Sequence, residues 1–316
     1  MTQVFTKYSN ILEVRMAGLT LLIGIALSLA SPYFLTTANL FNLMDQSVVT
    51  GIVAIGMTFV ILTGGIDLSV GSVIGVTGIL LGLAMREVPI PVAIAFAVMA
   101  GAFIGSISGI LVAVFGLAPF VVTLGSMAIC RSLAYVFSNQ RTISDVPDAL
   151  SGLVYDSLFG LQMNVLILIV LYIVAWIYLT HSKGGRTIYA VGSNKEAARI
   201  SGLNVRFYSI LPYVVSGALC AVAVTLIAAQ IGSIDPLAGN AMELDAIAAV
   251  VIGGASLFGG RGSIVGTLFG VLIMVMIRNG MNLLGVSPFW QGTAIGTIII
   301  AAVLAERLLS GRSGQH

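Results

Sequence analysis

Long apolar stretches separated by short clusters of Gly, Pro and polar residues run the whole length of the chain. A helix rising about 1.5 Å per residue needs about 20 apolar residues to cross the hydrocarbon of a bilayer. Divided where the breakers accumulate, the pattern predicts ten spans: 16–35, 46–63, 70–86, 91–115, 118–137, 163–181, 208–229, 243–259, 263–279 and 289–305. The second and third runs, and the eighth and ninth, are barely separated, so nine or eleven spans stay open. The expected fold is all-α and polytopic, with about 10 transmembrane helices in one domain over residues 1–316.

Lys and Arg gather in cytoplasmic loops. With the N-terminus inside, Lys7, Arg15, Lys183, Arg186, Lys195, Arg199, Arg206, Arg261, Arg307 and Arg312 fall on the cytoplasmic side, and only Arg86 and Arg141 clearly outside. Arg131 and Arg278 lie within spans or at their edges. Both termini are then cytoplasmic, 182–207 is the largest cytoplasmic loop, and 138–162 the largest external one. Lys7 and Arg15 precede an apolar run, and Ser28-Leu29-Ala30 resembles a signal-peptidase site. The run is long enough to span and further spans come after it, so a retained first helix is expected.

Composition sharpens this picture. The chain is 58% hydrophobic and only 8% charged, against about 25% charged in soluble domains, so its outer solvent is lipid. A net charge of +2 implies no polyanion-binding surface and no nucleic acid. Cys130 and Cys220 sit in apolar runs without CxxC spacing, as small apolar fillers. The motifs GxxxxGK[ST], HExxH and GxSxG do not occur, so neither a phosphate loop nor a hydrolytic centre is expected. The chain of intramembrane acids that proton-driven pumps use is missing too. The chain reads as no enzyme, with no metal site, and any pumping energy must come from another protein.

Glycine and charge mark places where spans are interrupted. Gly101, Gly105 and Gly109 recur every fourth residue, as do Gly266 and Gly270. Such stripes let helix backbones approach closely, within one bundle or across a dimer seam. GGIDLSVGSVIG (64–75) and GGASLFGGRGSIVG (253–266) echo each other, and each links an inward-running span to an outward-running one. They are either parallel repeats flanking a central path or a chance likeness. Asp67 is either a functional intramembrane carboxylate or, with Ser69, a cap on span three. Glu243 and Asp245 suit the positive end of span eight. Arg131 either pairs with an acid on another span or reaches the external interface. Nothing marks His181 as a ligand.

One polar stretch, GSNKEAARISGLN (192–204), breaks the apolar pattern. Ser193-Asn194-Lys195-Glu196 fits a capping box, with Ser193 taking the Glu196 N–H. Ala197, Ala198, Arg199 and Ile200 continue the helix, and Gly202 ends it. About eight residues are too short to stand alone in water. Ala197, Ile200 and Ser201 form a small face, while Lys195 and Arg199 share another. The helix either lies on lipid headgroups or docks a soluble partner.

Three stretches carry a family likeness. GMTFVILTGGIDLSVGS (56–72), GRTIYAVGSNKEAARISGLNV (185–205) and ELDAIAAVVIGGASLFGGRGSIVGTLFG (243–270), followed by RNGMNLLGV (278–286), resemble the permease subunits of bacterial ABC importers for monosaccharides of the ribose, xylose and arabinose type. The resemblance implies two permease copies, identical or related, in the inner membrane. It implies a cytoplasmic ATPase that holds the ATP and Mg, and a periplasmic sugar-binding protein. It also implies that Ser193, Asn194, Glu196, Ala197, Ala198, Arg199, Ser201 and Gly202 form the helix coupling permease to ATPase. A neutral sugar suits a path of backbone and hydroxyl groups. Thr58, Thr63, Gly64, Gly65, Asp67, Ser69, Gly253, Gly254 and Asn282 are the pathway or gate candidates. The rival readings are an ion-coupled secondary transporter of a small neutral solute and a non-transporting membrane scaffold.

Overall fold

A computed structural model describes residues 2–158 and 160–311, with side chains described over 13–304 except 159, 288, 299, 302 and 303. Lys7 and Arg307, as side chains, and Arg312 lie outside the described residues. The helices are α1 (Thr2–Ala30), α2 (Thr37–Leu62), α3 (Val70–Ala84), α4 (Ile90–Ala113), α5 (Pro119–Ser138), α6 (Gly152–Tyr155), α7 (Met163–His181), α8 (Lys183–Ser193), α9 (Lys195–Ile200), α10 (Val205–Ile231), α11 (Met242–Ile252), α12 (Ile264–Leu283) and α13 (Pro288–Gly311). A two-residue hairpin, β1 (Ser157–Leu158) with β2 (Leu161–Gln162), precedes α7. The fold is all-α and polytopic.

Each of the ten apolar runs falls on a helix, but they are not alike. Among the described residues, seven helices, α1, α2, α4, α5, α7, α10 and α12, are long and apolar enough to cross a membrane. The tenth run lies on α13. The third and eighth runs do not make full spans. α3 has 15 residues and α11 has 11, so they are roughly 22 and 16 Å long, against about 30 Å of hydrocarbon. The expected span 243–259 stops at Ile252 because Gly253 and Gly254 end the helix, and 253–263 continues as a glycine-rich loop.

The core lies around α2, α3, α10 and α11. Ile52, Met57, Ile61, Ile74, Ile79, Tyr213, Cys220, Val224 and Val250 are fully or almost fully buried. Large apolar side chains on the outer faces of α1, α4, α5 and α7, among them Leu21, Phe103, Val121 and Val170, are exposed, as lipid-facing positions should be. The glycine stripe of α4 is used inside the chain. Gly101 lies against the Gly217 carbonyl, Gly105 against that of Tyr213, and Gly109 against Ile210, all on α10. Gly266 and Gly270 likewise meet the Gly253 and Ala249 carbonyls. In lipid, where apolar burial drives little, this backbone proximity supplies dispersion and weak Cα–H···O contacts.

Candidate functional site

The two Gly-Gly turns share one local construction. At the end of α2, Gly64 has φ +74° and its N–H donates to the Ile61 carbonyl, while the Gly65 N–H donates to that of Val60. At the end of α11, Gly254 has φ +88°, and the N–H groups of Gly254 and Ala255 donate to Val251 and Val250. Both are the left-handed glycine stop that satisfies the last helical carbonyls. The equivalent residues are therefore Gly64 and Gly254, one position off the match by letters alone. The two turns part company beyond the stop: the first leads to the half-length α3, the second to the full-length α12.

The half-helices meet inside the bundle. From α2, residues 63–69 climb back along α10 before α3 begins. There the Asp67 carboxylate accepts the Ser69 N–H (3.0 Å) and hydroxyl (2.6 Å), and the Ser216 hydroxyl of α10 (2.9 Å). The first two bonds hold the turn that opens α3, and the third ties it to α10. Ser69 itself makes no side-chain cap.

From α10, residues 232–241 descend along α3 without helical structure. Ile234 bridges Ile143 through two backbone hydrogen bonds and packs at Gly78 and Gly82, Pro236 lies at Gly75, and Gly239 lies at Gly71. α11 starts at this depth, and the Glu243 carboxylate sits against Gly71. Two helix N-termini, each equivalent to about +0.5 charge, thus abut, with Asp67 and Glu243 supplying the opposite sign.

Arg131 binds neither an acid nor the interface. Its guanidinium donates to the carbonyls of Pro236 (2.6 Å), Ala238 (3.3 Å) and Gly71 (3.1 Å). Non-helical backbone at membrane depth has carbonyls that lipid cannot satisfy, and a fixed fork of five donors can serve several at once. The sequence suggests only carboxylates and headgroups as partners for this arginine, because an unwound backbone leaves no letter of its own.

The polar stretch forms a two-helix knuckle. Ser182 caps α8 through the Gly185 N–H (2.9 Å), and α8 buries Gly185, Thr187, Ile188 and Val191 against the bundle. The expected loop 182–207 is thus largely helical. The cap of α9 is Asn194, whose Oδ1 accepts the Ala197 N–H (2.9 Å). Ser193 instead ends α8 and packs on Gly260. Glu196 does not reach back but pairs with Arg199 at 2.6 Å, and those hydrogen bonds hold its carboxyl below the usual range. α9 is six residues long. Gly202 ends it at φ +76°, its N–H donating to Arg199 and that of Leu203 to Ala198. Ala198 turns inward and is buried, whereas Asn194, Glu196, Ala197, Arg199, Ile200 and Ser201 are exposed, Ile200 to 77%.

The knuckle is seated backbone to backbone on the loops between the inward and outward helices. The Gly260 N–H donates to the Leu62 carbonyl (2.9 Å), and the Tyr189 hydroxyl donates to the Gly262 carbonyl (2.9 Å). Gly192 lies so close to the Leu62 carbonyl and the Gly260 nitrogen that a Cβ there would collide with both. Gly259 lies between Gly64 and Gly192. The ends of α2 and α8 and the loop after α11 therefore meet at one point.

The candidate pathway residues are not brought together. Thr58 is fully buried and bonded to Thr267 (2.8 Å) and the Ala54 carbonyl (2.7 Å). Thr63 donates to Val60, Gly253 and Gly254 end α11, and exposed Asn282 accepts from Gln291 (2.6 Å) at the far end of α12. Thr63 and Gly65 border a gap of about 10 Å³, room for at most one water. A larger cleft lies elsewhere. It measures about 240 Å³ and is walled by α2, α12 and the α10 and α11 ends that flank the 232–241 segment, with Asp45, Gln46, Thr50, Gln230, Asp245 and Arg278 as its polar lining. Asp245 is 8% exposed and pairs with Arg278 at 2.9 Å, while Asp45 accepts from Asn164 Nδ2 (2.8 Å). Among the described residues, no group of three or more His, Cys, Asp or Glu could hold a metal ion.

Comparison with known proteins places this architecture among transport permeases. The relatives include the ribose import permease protein RbsC of Escherichia coli (strain K12), 41% identical over 307 residues, covering 96% of this chain and 95% of that protein. RbsC of Bacillus subtilis (strain 168) is 40% identical, covering 92% of this chain and 91% of that protein. The D-allose transport system permease protein AlsC of Escherichia coli (strain K12) is 36% identical, covering 92% and 90%. No solved structure matches. Residues 39–303 match the family model described as branched-chain amino acid transport system / permease component, and the chain belongs to that family of membrane permeases.

Proposed function

We propose that the chain lines the path by which an ATP-binding-cassette importer carries a monosaccharide across the bacterial inner membrane. The observation that carries this reading is the likeness over nine-tenths or more of both chains to permeases named for ribose and D-allose. The family description names branched-chain amino acids, but the full-length relatives point to sugars. As a transport component of such an importer, the protein is not an enzyme and works with a separate ATPase and a periplasmic binding protein. ATP and Mg belong on the ATPase. A second copy, or a related permease, completes the path.

In this mechanism the exposed face of α9, with Asn194, Glu196, Ala197, Arg199, Ile200 and Ser201, sits in a cleft of the ATPase. Closure of the ATPase around ATP moves the knuckle. Because the Gly192 region is wedged against Leu62 and Gly260, the movement passes to the loops after α2 and α11 as well as to the adjoining α7 and α10. The half-helices α3 and α11 then shift with those loops, and the path changes the side to which it opens. The work comes from the different affinities of ATPase and binding protein for the two permease states.

The test is reconstitution in liposomes with ATPase and binding protein. ATP-dependent accumulation of D-ribose or D-allose that survives an uncoupler is the expected result. Accumulation by the isolated chain, collapsing with an uncoupler while ATP remains, would establish a secondary transporter instead.

A further inference from the structure

We infer that the cleft of about 240 Å³ among α2, α10, α11 and α12 is a low-affinity binding site for one monosaccharide on the transport path. The inference rests on the sugar-importer reading and names where the permease itself holds the solute. Its size comes first. Pockets for drug-sized ligands occupy about 300–1,000 Å³, so this cleft is on the scale of one sugar ring.

Its chemistry comes second. The lining alternates two kinds of group. Gln46, Thr50, Gln230 and the carboxylate of Asp45 offer donors and acceptors to hydroxyls, while Val49, Met242, Met274 and Val275 offer apolar surface to the C–H face of a ring. Asp245 and Arg278 neutralise each other, which leaves the Asp45 carboxylate, held by the Asn164 amide, as the one uncompensated charge of the lining: it disfavours an anionic solute and is a strong acceptor for a sugar hydroxyl. Amides and one hydroxyl bind sugar hydroxyls at about the strength of water, as a site that must also release its cargo requires.

Its place in the fold comes third. α11 is a half-helix, and the cleft sits at its N-terminal turn, beside the non-helical 232–241 segment. Solute sites of membrane transporters are built where helices are interrupted at depth. The Asp245–Arg278 pair joins α11 to α12 across one wall. α11 and α12 themselves run from the cleft to the glycine loop 253–263, which connects their other ends and supports the knuckle. A movement of that loop therefore changes the wall that touches the sugar.

The two native cysteines, Cys130 and Cys220, are buried, which makes an introduced thiol a clean reporter. Thr50→Cys is expressed with the ATPase and binding protein in spheroplasts and treated with a membrane-impermeant maleimide. The expected result is labelling from outside that D-ribose or D-allose at millimolar concentration slows at least threefold and sucrose leaves unchanged. Gln230→Leu should lower uptake at least tenfold while the loaded binding protein still stimulates ATP hydrolysis. Gln46→Cys replaces the reporter if Thr50→Cys does not assemble. A complex that accumulates ribose or allose, yet shows no external labelling or labelling indifferent to both sugars, overturns the cleft and leaves the importer reading standing. A complex that accumulates no monosaccharide at all overturns both.

Discussion

Replacing Gly192 by Ala tests whether force passes through the glycine contact. The added methyl has no free space: its Cβ would fall on the Leu62 carbonyl oxygen and within 2.6 Å of the Gly260 nitrogen. Both neighbours are main chain, so no side chain can swing aside, and the loops themselves must part. Forcing such an overpacked contact costs about 1–3 kcal/mol. Parting the loops also strands the Gly260 N–H and Leu62 carbonyl, now bonded at 2.9 Å, for roughly another 1–3 kcal/mol where water does not reach them. At about 1.4 kcal/mol per tenfold, the seated knuckle should lose at least a factor of ten in population. Gly125→Ala, on α5 with nothing within 4 Å of its Cβ, is the matched control and should be neutral or stabilising by about 0.5–1 kcal/mol. The assay is the reconstituted complex, with sugar uptake, ATP hydrolysis and the thermal midpoint of the purified permease read together. Gly192→Ala should still assemble, with a lowered midpoint, and hydrolyse ATP with little uptake. Uptake and midpoint equal to those of Gly125→Ala would refute the contact as a transmission point.

Ile200→Asp puts a charge on the most exposed apolar side chain of α9 and should abolish ATPase pull-down without changing permease stability, checked by affinity capture and melting. Ala198→Arg should instead lower the melting midpoint, because Ala198 faces the permease. Arg131→Met removes the donor to the Pro236 and Ala238 carbonyls of the non-helical segment and a tie to Gly71 of α3 and should destabilise the protein by about 3 kcal/mol, read as loss of folded protein in detergent, with Arg131→Lys less severe. Asp67→Asn keeps an acceptor for Ser69 and, because the Ser216 hydroxyl can turn to accept from the new amide, should cost about 1 kcal/mol and retain most uptake. Complete loss of transport with normal assembly would assign Asp67 to the path or gate.

The helix pattern is legible because an apolar run of about 20 residues has few alternatives in a membrane. Span seven, expected over 208–229, is α10 (Val205–Ile231), and span six matches α7 at both ends. Half-helices are not legible, because the non-helical segments 63–69 and 232–241 have mostly ordinary apolar and small letters. A Gly-Gly pair hints at the first, and Gly232, Asp235-Pro236 and Gly239 at the second, and those mark turns rather than depth. The cap of α9 lies one residue from its expected place because Ser193-x-x-Glu196 and Asn194-x-x-Ala197 are both acceptable starts. The α8 helix resolves the choice by extending through Ser193, and Arg199 draws Glu196 away from a capping box. The cleft escapes sequence reasoning for a different reason. Asp45, Gln46 and Thr50 lie on α2, Gln230 on α10, Asp245 on α11 and Arg278 on α12, and no local spacing joins four helices. A polar Asp-Gln pair ahead of the apolar run from Val48 is the available signal.

The opposed half-helices explain why a chain with so few charges keeps Asp67, Arg131 and Glu243 at depth. α3 and α11 run in opposite directions from a common level, so each leaves one unwound leg, 63–69 towards the knuckle and 232–241 towards the other end. The two N-termini repel as like partial charges, and the two legs carry unpaired carbonyls; each problem alone would melt the junction. Asp67 and Glu243 offset the first, and Arg131 offsets the second by binding both the 232–241 leg and the Gly71 carbonyl at the start of α3. Because one guanidinium spans both, α3 and the leg that leads into α11 are tied as a pair. The knuckle presses on Leu62, which adjoins the first leg, and on Gly260, in the loop between α11 and α12. One push at the glycine contact therefore reaches both half-helices at once, and through α11 the Asp245–Arg278 wall of the cleft.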